Sequence, residues 1–283
     1  MSDVRPWIFA LTVASRWRKL PSGAIIPHCK AMTSSLLRAI GLSGLIIGSL
    51  VTVRAQELPL IAKARALIAP DAVLDAVRTL HYVGSLTATS SAQPGKLEQE
   101  AIEIFLEKPA RQRIVVTSAD AMEINALDGY DAWRRTIDTK NPNKWQQNQM
   151  SSEQIKQLRA DVWENLSFFR GIERVGGWTE DQGLVVTEGV PCRKIAFYHG
   201  SSTTPYFRFL DASTGKLILT GTPENNIRAE GEIVSAGIKF PQVIIITQSA
   251  GGQTFTRKVK FEKITVNESF PAALFAMPLP TVK

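Results

Sequence analysis

Downstream of residue 55 the side chains with reactive chemistry are few and scattered: His81, His199 and the thiol of Cys192. Acid–base catalysis needs a histidine within hydrogen-bond reach of both a substrate proton and an orienting partner, and thiol chemistry needs a cation that stabilises the thiolate. None of the three stands in a motif that supplies such a neighbour. His81 lies where a helical pattern gives way to a strand pattern, His199 lies beside a turn, and Cys192 follows Pro191 within a strand-like run. The chain has no Gly-x-Ser-x-Gly, no His-Glu-x-x-His, no glycine-rich phosphate loop and no close set of metal ligands. Neither catalysis nor a cofactor nor a metal is therefore expected, and an enzyme with an unrecognised site ranks as the third reading. Cys29 precedes the expected mature chain, so no internal disulfide is expected.

Apolar side chains are what the sequence offers in quantity, at spacings that fold them onto single faces. In the run KLEQEAIEIFLEKPARQRIVV, Ile102, Ile104 and Leu106 share one face of an extended segment, with Glu103 and Glu107 on the other. Pro109 ends that strand, Arg113–Val116 and Met122–Leu127 form the next pair, Asp128-Gly129 turns the chain, and a further strand carries Trp133. Residues 151–171, SSEQIKQLRADVWENLSFFRG, read as a helix. Ser151 and Gln154 make a capping box, Ile155, Leu158, Val162, Leu166 and Phe169 form one apolar stripe, and Gly171 is the natural stop. Upstream, residues 59–80 carry helical spacings interrupted by Pro70, which predicts a kink or a short second helix. After residue 190 the strands return as consecutive hairpins, separated at residues 212–215, Gly237 and Gly251-Gly252. A helix stripe needs an apolar surface to cover, and a sheet face is the one available.

The net charge of +7 has its source near the amino terminus. Arg5, Arg16, Arg18, Lys19, Lys30, Arg38 and Arg54, against Asp3, precede Gln56, which leaves 26 basic and 25 acidic residues after it. A nucleic-acid partner, which needs a clustered basic face, is not expected. Residues 32–55 have the grammar of a signal peptide: Arg38, an apolar stretch from Ala39 to Val53, and small Ala55, with cleavage expected between Ala55 and Gln56. Glycines and serines break the apolar stretch, which argues against a membrane anchor. Residues 1–31 do not fit that grammar. Met32 is expected to be the start, with 1–31 a disordered, mis-assigned extension and 56–283 a single soluble domain in the periplasm.

The order of these motifs resembles the LolA-like superfamily of periplasmic carriers. Lys108-Pro109 stands at its basic-Pro corner, Asp128-Gly129 and Trp133 follow as its turn and tryptophan, and Gly237, Phe240, Pro241, Asn267, Leu274, Phe275 and Pro278 match its closing segment. The resemblance implies an α+β fold, a strongly curved antiparallel sheet forming an incomplete β-barrel with helices covering its concave face. It implies a non-catalytic carrier or binding protein for lipoproteins or other acylated, lipid-like ligands, monomeric, with membrane-associated donor and acceptor proteins. The residues expected to line the apolar site are Ile102, Ile104, Leu106, Trp133, Val162, Leu166 and Phe169, with Lys108 at its mouth. Two positions depart from the best-known lipoprotein carriers, which have Arg where Lys108 stands and an aromatic residue where Gln112 stands. Lysine is a point charge rather than a planar fork, and an amide makes no aromatic wall. An envelope-stress sensing module on the same fold is the second reading.

Overall fold

The computed structural model describes residues 58–90, 93–199, 205–222, 225–250 and 252–278. The expected extension, 1–31, and signal peptide, 32–55, lie outside the described residues. Two short helices open the described chain. Helix α1 (Pro59–Ala66) starts on a proline, whose fixed φ suits a first helical turn, and α2 (Asp71–Asp75) starts directly after Pro70 as the expected short second helix.

Strands then follow in antiparallel succession: β1 (Thr79–Ser90), β2 (Gln93–Glu107), β3 (Arg111–Thr117), β4 (Ala121–Asp128), β5 (Asp131–Asp138) and β6 (Trp145–Gln149). Helix α3 (Ser152–Ser167) interrupts them. The chain resumes with β7 (Trp178–Thr187), β8 (Val190–Tyr198), β9 (Tyr206–Asp211), β10 (Leu217–Gly221), β11 (Asn225–Glu230), β12 (Ile233–Ser235), β13 (Ile238–Phe240), β14 (Val243–Ala250) and β15 (Gln253–Val266). Among the described residues thirteen strands make one sheet in the order β6-β5-β4-β3-β2-β1-β15-β14-β11-β10-β9-β8-β7, while β12 and β13 form a separate hairpin. The β6 and β7 edges do not pair with each other, so the barrel is incomplete.

The sheet is curved because one helix touches strands that a flat sheet would keep apart. Helix α3 contacts β2, β3 and β4, yet its Glu164 pairs with Arg208 on β9, seven strands from β3. On a flat sheet seven spacings amount to about 34 Å, whereas a helix of 16 residues is only about 24 Å long. A bulge helps the bend. Between Val83 and Gly84 the β1–β15 register slips past Glu262, and a Cβ on Gly84 would sit 2.1 Å from the Lys260 carbonyl oxygen. Only glycine allows that approach, and bulges of this kind sharpen local twist.

The concave face carries the main core. It runs from Leu80, Tyr82, Ile102, Ile104, Leu106 and Ile114 across Phe261, Val259, Ile244 and Ile227 to Leu210 and Ile195, with α1, α3 and the β12–β13 hairpin closing over it. A second, smaller core of Ile124, Ala126 and Trp133 lies on the convex face.

Candidate functional site

Helix α3 is the element that makes a site of the concave face. Its amino end carries the expected capping box: the Gln154 amide N–H donates to Ser151 Oγ, and the Gln154 side-chain oxygen accepts from the Ser151 N–H at 2.9 Å. Its carboxyl end comes earlier than Gly171. Phe168 leaves the helix in the left-handed region at φ 53°, and Phe169 follows at φ 69°. The reason is Arg65 on α1, fully buried, whose Nη1 donates to the freed carbonyls of Ser167 at 2.7 Å and Phe168 at 2.8 Å. The same guanidinium pairs with Asp71 at 2.8 Å and Asp75 at 2.7 Å, and Arg170 reaches the same two carboxylates. These carboxylates are half-exposed, so they orient the arginine more than they stabilise the fold.

Beneath α3 the inner side chains form registered rows. Leu80, Leu106, Gln112, Leu127 and Ala132 align across β1 to β5, and Tyr82, Ile104 and Ile114 align beside them. Ile102, Ile104, Leu106, Val162, Leu166 and Phe169 all belong to this main core, none more than 5% exposed. Lys108 follows Leu106 in the same phase and is half-buried at the corner, where its peptide bond to Pro109 is cis. Burial, and then the charge of Arg78, push its ammonium down to about 8, with Arg174 and Arg65 adding to the effect.

Trp133 is the expected lining residue that the fold places elsewhere. Its row runs His81, Phe105, Arg113, Ala126, Trp133 on the opposite face of the same strands. Its indole N–H donates to the Phe275 carbonyl at 3.1 Å, and Arg113 donates to the Leu274 carbonyl at 2.9 Å. The carboxyl-terminal segment therefore straps the convex face. His81 helps fasten it, with Glu268 at 2.9 Å on one ring nitrogen, Glu103 at 2.8 Å on the other, and Phe105 stacked on the ring. Asn267 completes the strap by accepting the Arg78 N–H at 2.7 Å.

At the far end of the concave face the interior is ionic, which the sequence reading did not anticipate. Arg208 on β9 is 2% exposed and pairs with Glu164 of α3 at 2.5 Å. Its guanidinium lies 4.0 Å from the Phe169 ring centroid, 4.6 Å from Phe197 and 5.4 Å from Tyr206. His199 Nε2 stands 3.8 Å from the second carboxylate oxygen of Glu164, beyond hydrogen-bond range. That oxygen and both His199 ring nitrogens have no hydrogen-bond partner among the described residues. Asp161, one turn before Glu164, is 2% exposed and accepts from Gln157 at 2.9 Å.

Burial dominates the electrostatics of this cluster. It pushes the Asp161 carboxyl up to about 8 and the His199 ring down to about 4, so both are neutral at pH 7. It also raises Glu164 and lowers Arg208, each opposed by the other's charge. One signal in the sequence pointed here: in PYFRFLD, Arg208 falls in the inward phase with Tyr206 and Leu210. Cys192 on β8 is buried and in no disulfide.

Among the described residues no group of three or more His, Cys, Asp or Glu side chains could hold a metal ion, and no helix is long and apolar enough to cross a membrane. No protein-family model matches the chain, and no curated protein matches it. Solved structures do. A LolA superfamily protein from Nitrosomonas europaea is similar at 11% identity with a TM-score of 0.50, covering 77% of this chain and 96% of that one. A DUF1329 family protein from Desulfovibrio piger is similar at 10% identity with a TM-score of 0.50 and the same coverage. At such identities the likeness is one of fold.

Proposed function

We propose, from the fold this chain shares with a LolA superfamily protein, that it is an exported, non-catalytic carrier or binding protein for an acylated, lipid-like ligand held between the concave face and α3. The observation that carries the reading is the continuity of the apolar surface beneath α1, α3 and the β12–β13 hairpin, from β3 across β1 and β14 to β8. Ile104, Leu106, Val162 and Leu166 are sealed from solvent, so a hydrocarbon chain enters by parting α3 from the sheet and replacing the contacts that part. Each methylene so buried contributes about 0.8 kcal/mol. A dozen of them contribute about 10 kcal/mol toward offsetting the cost of ordering the ligand.

The binding residues are then Ile102, Ile104, Leu106, Val162, Leu166 and Phe169, with Lys108 at the edge; Trp133 serves the convex face instead. Non-catalysis is supported by the surroundings of the reactive groups, since His81 is held between two carboxylates and His199 and Cys192 are buried. Export, cleavage before Gln56 and delivery between membrane-associated partners complete the reading. The test is native mass spectrometry of the purified protein, together with displacement of a fluorescent apolar probe by acyl compounds. Bound acyl mass and saturable displacement are expected; neither being seen overturns the proposal.

A further inference from the structure

At the β2–β3 corner the concave face ends in cations that no carboxylate answers. Lys108 is half-buried there, one step beyond Leu106 in the inward phase, and its backbone N–H donates to the Arg78 carbonyl at 2.9 Å. Arg78 enters from just before β1, its own N–H held by Asn267 at 2.7 Å. Arg174 enters from the 3-10 turn Ile172–Val175 that follows α3, with its guanidinium 5.4 Å from the Trp163 ring centroid. The charges of Arg78, Arg174 and Arg65 all act on the Lys108 ammonium, which gathers these cations at one corner. Among the described residues Lys108, Arg78 and Arg174 make no ion pair. The carboxylates around them are engaged or turned away. Asp71 and Asp75 are each shared by Arg65 and Arg170, and Glu268 is taken by His81. Glu107 lies in the opposite phase and reaches Arg111 at 3.5 Å, and Glu173 is exposed and pairs with none of the three. Unpaired arginines at a surface are ordinary, but a partly desolvated ammonium without a counter-ion is costly, and its pKa falls to about 8. Gln112, opposite Leu106 in the same row, is fully buried with neither amide atom hydrogen-bonded among the described residues. Two adjacent polar groups at one end of an apolar row thus lack partners that a ligand's polar end can supply.

We infer that this corner receives a phosphate ester carried on an acyl or alkyl chain, its terminal oxygens shared by Lys108, Arg78 and Arg174. The inference rests on the carrier reading above and names the head of its ligand. A phosphate monoester presents three terminal oxygens and about 1.5–2 negative charges, enough for three cations arriving from three elements, whereas a carboxylate offers two oxygens and a single charge. Each arginine fork takes two oxygens in parallel bonds, and the lysine adds a point charge. Arg78 and Arg174 are exposed and Lys108 is half-buried with α3 in place, so the head binds without any movement of that helix. The chain leaves the corner past Gln112, toward Leu106 and Ile104.

The test is competition against a neutral fluorescent apolar probe bound to the purified protein, with competitors of one chain length. Hexadecyl phosphate should displace the probe at concentrations about tenfold lower than hexadecanol, and hexadecyltrimethylammonium should be weaker than either. Inorganic phosphate should neither displace the probe nor, at equal concentration, remove that advantage. In Lys108→Gln the advantage should fall to about twofold, the double variant Arg78→Gln, Arg174→Gln should lose it likewise, and Lys108→Arg should keep it. Equal displacement by the phosphate and the alcohol in the wild type overturns the inference and leaves the carrier reading standing. Displacement by none of the chain compounds overturns the carrier reading and the inference with it. An advantage that survives in both charge-removing variants overturns the assignment to this corner. One that inorganic phosphate removes assigns the corner to the free anion and overturns the amphiphile. The wild-type comparison stands whether or not the variants fold.

Discussion

The two ends of the concave interior are lined on opposite principles, although one helix covers both. At the β1–β4 end, α3 rests on aliphatic rows in which Leu80, Ile104, Leu106 and Ile114 are fully buried. At the β8–β9 end the same helix sets Glu164 against Arg208 and His199, with Asp161 one turn before it, all at most 7% exposed. Apolar contact is non-directional and forgives small shifts, whereas a buried ion pair is either made or broken. The difference teaches that the aliphatic end supplies adhesion while the ionic end fixes where α3 sits.

The sharpest way to break this comparison is to remove one charge. Arg208→Met leaves Glu164 buried without its cation and should cost about 3–5 kcal/mol, read by chemical denaturation at pH 7. Adding Glu164→Gln should recover most of that loss, because no uncompensated charge then remains. A single-variant cost below about 1 kcal/mol, the range of exposed pairs, would mean that water reaches the pair and that the two ends do not differ in kind.

Titration sharpens the same contrast with a smaller effect. Asp161 has an ordinary value of 3.8 when unfolded and about 8 when folded, so the folded state holds its proton longer. The associated stability is full below the unfolded value and is lost as pH rises through the folded one. His199, at 6.5 unfolded and about 4 folded, acts in the opposite sense and loses stability only as pH falls below 6.5. Between pH 6.5 and pH 8 the carboxyl therefore acts without that opposition. Wild-type protein should lose stability relative to Asp161→Asn by up to about 1.4 kcal/mol per pH unit across that window, measured as paired denaturation midpoints. Parallel pH profiles for the two proteins would show Asp161 to be hydrated and the ionic end to be open.

Legibility followed the range of the interactions. The capping box at Ser151 and Gln154, the break at Pro70 and the alternation of Ile102, Ile104 and Leu106 are local, and the fold keeps each of them. Gly171 is a local stop for α3, whereas the real stop is made by Arg65, about a hundred residues earlier in the chain. The face of Trp133 depends on the register of two successive hairpins, and one residue of slip exchanges the faces. The ionic cluster draws on α3, β9 and the residue just after β8, whose proximity exists only after the sheet has curled. No local pattern in α3 says what Asp161 and Glu164 will face.

Gln112 tests the comparison from the aliphatic side, with the smallest expected effect. It sits fully buried between Leu106 and Leu127, and neither its amide oxygen nor its amide nitrogen has a hydrogen-bond partner among the described residues. An amide buried without a partner costs free energy that a leucine of similar size does not. Gln112→Leu should therefore stabilise the protein by about 1 kcal/mol, seen as a higher denaturation midpoint with an unchanged slope. If the amide meets a polar group of the ligand, the same variant should bind acyl compounds more weakly while folding more stably, because buried polar groups left unpaired are often kept for a partner. Higher stability with unchanged binding would make the β1–β4 end purely adhesive. Lower stability would show that Gln112 is already satisfied, and that the aliphatic end carries a polar anchor of its own.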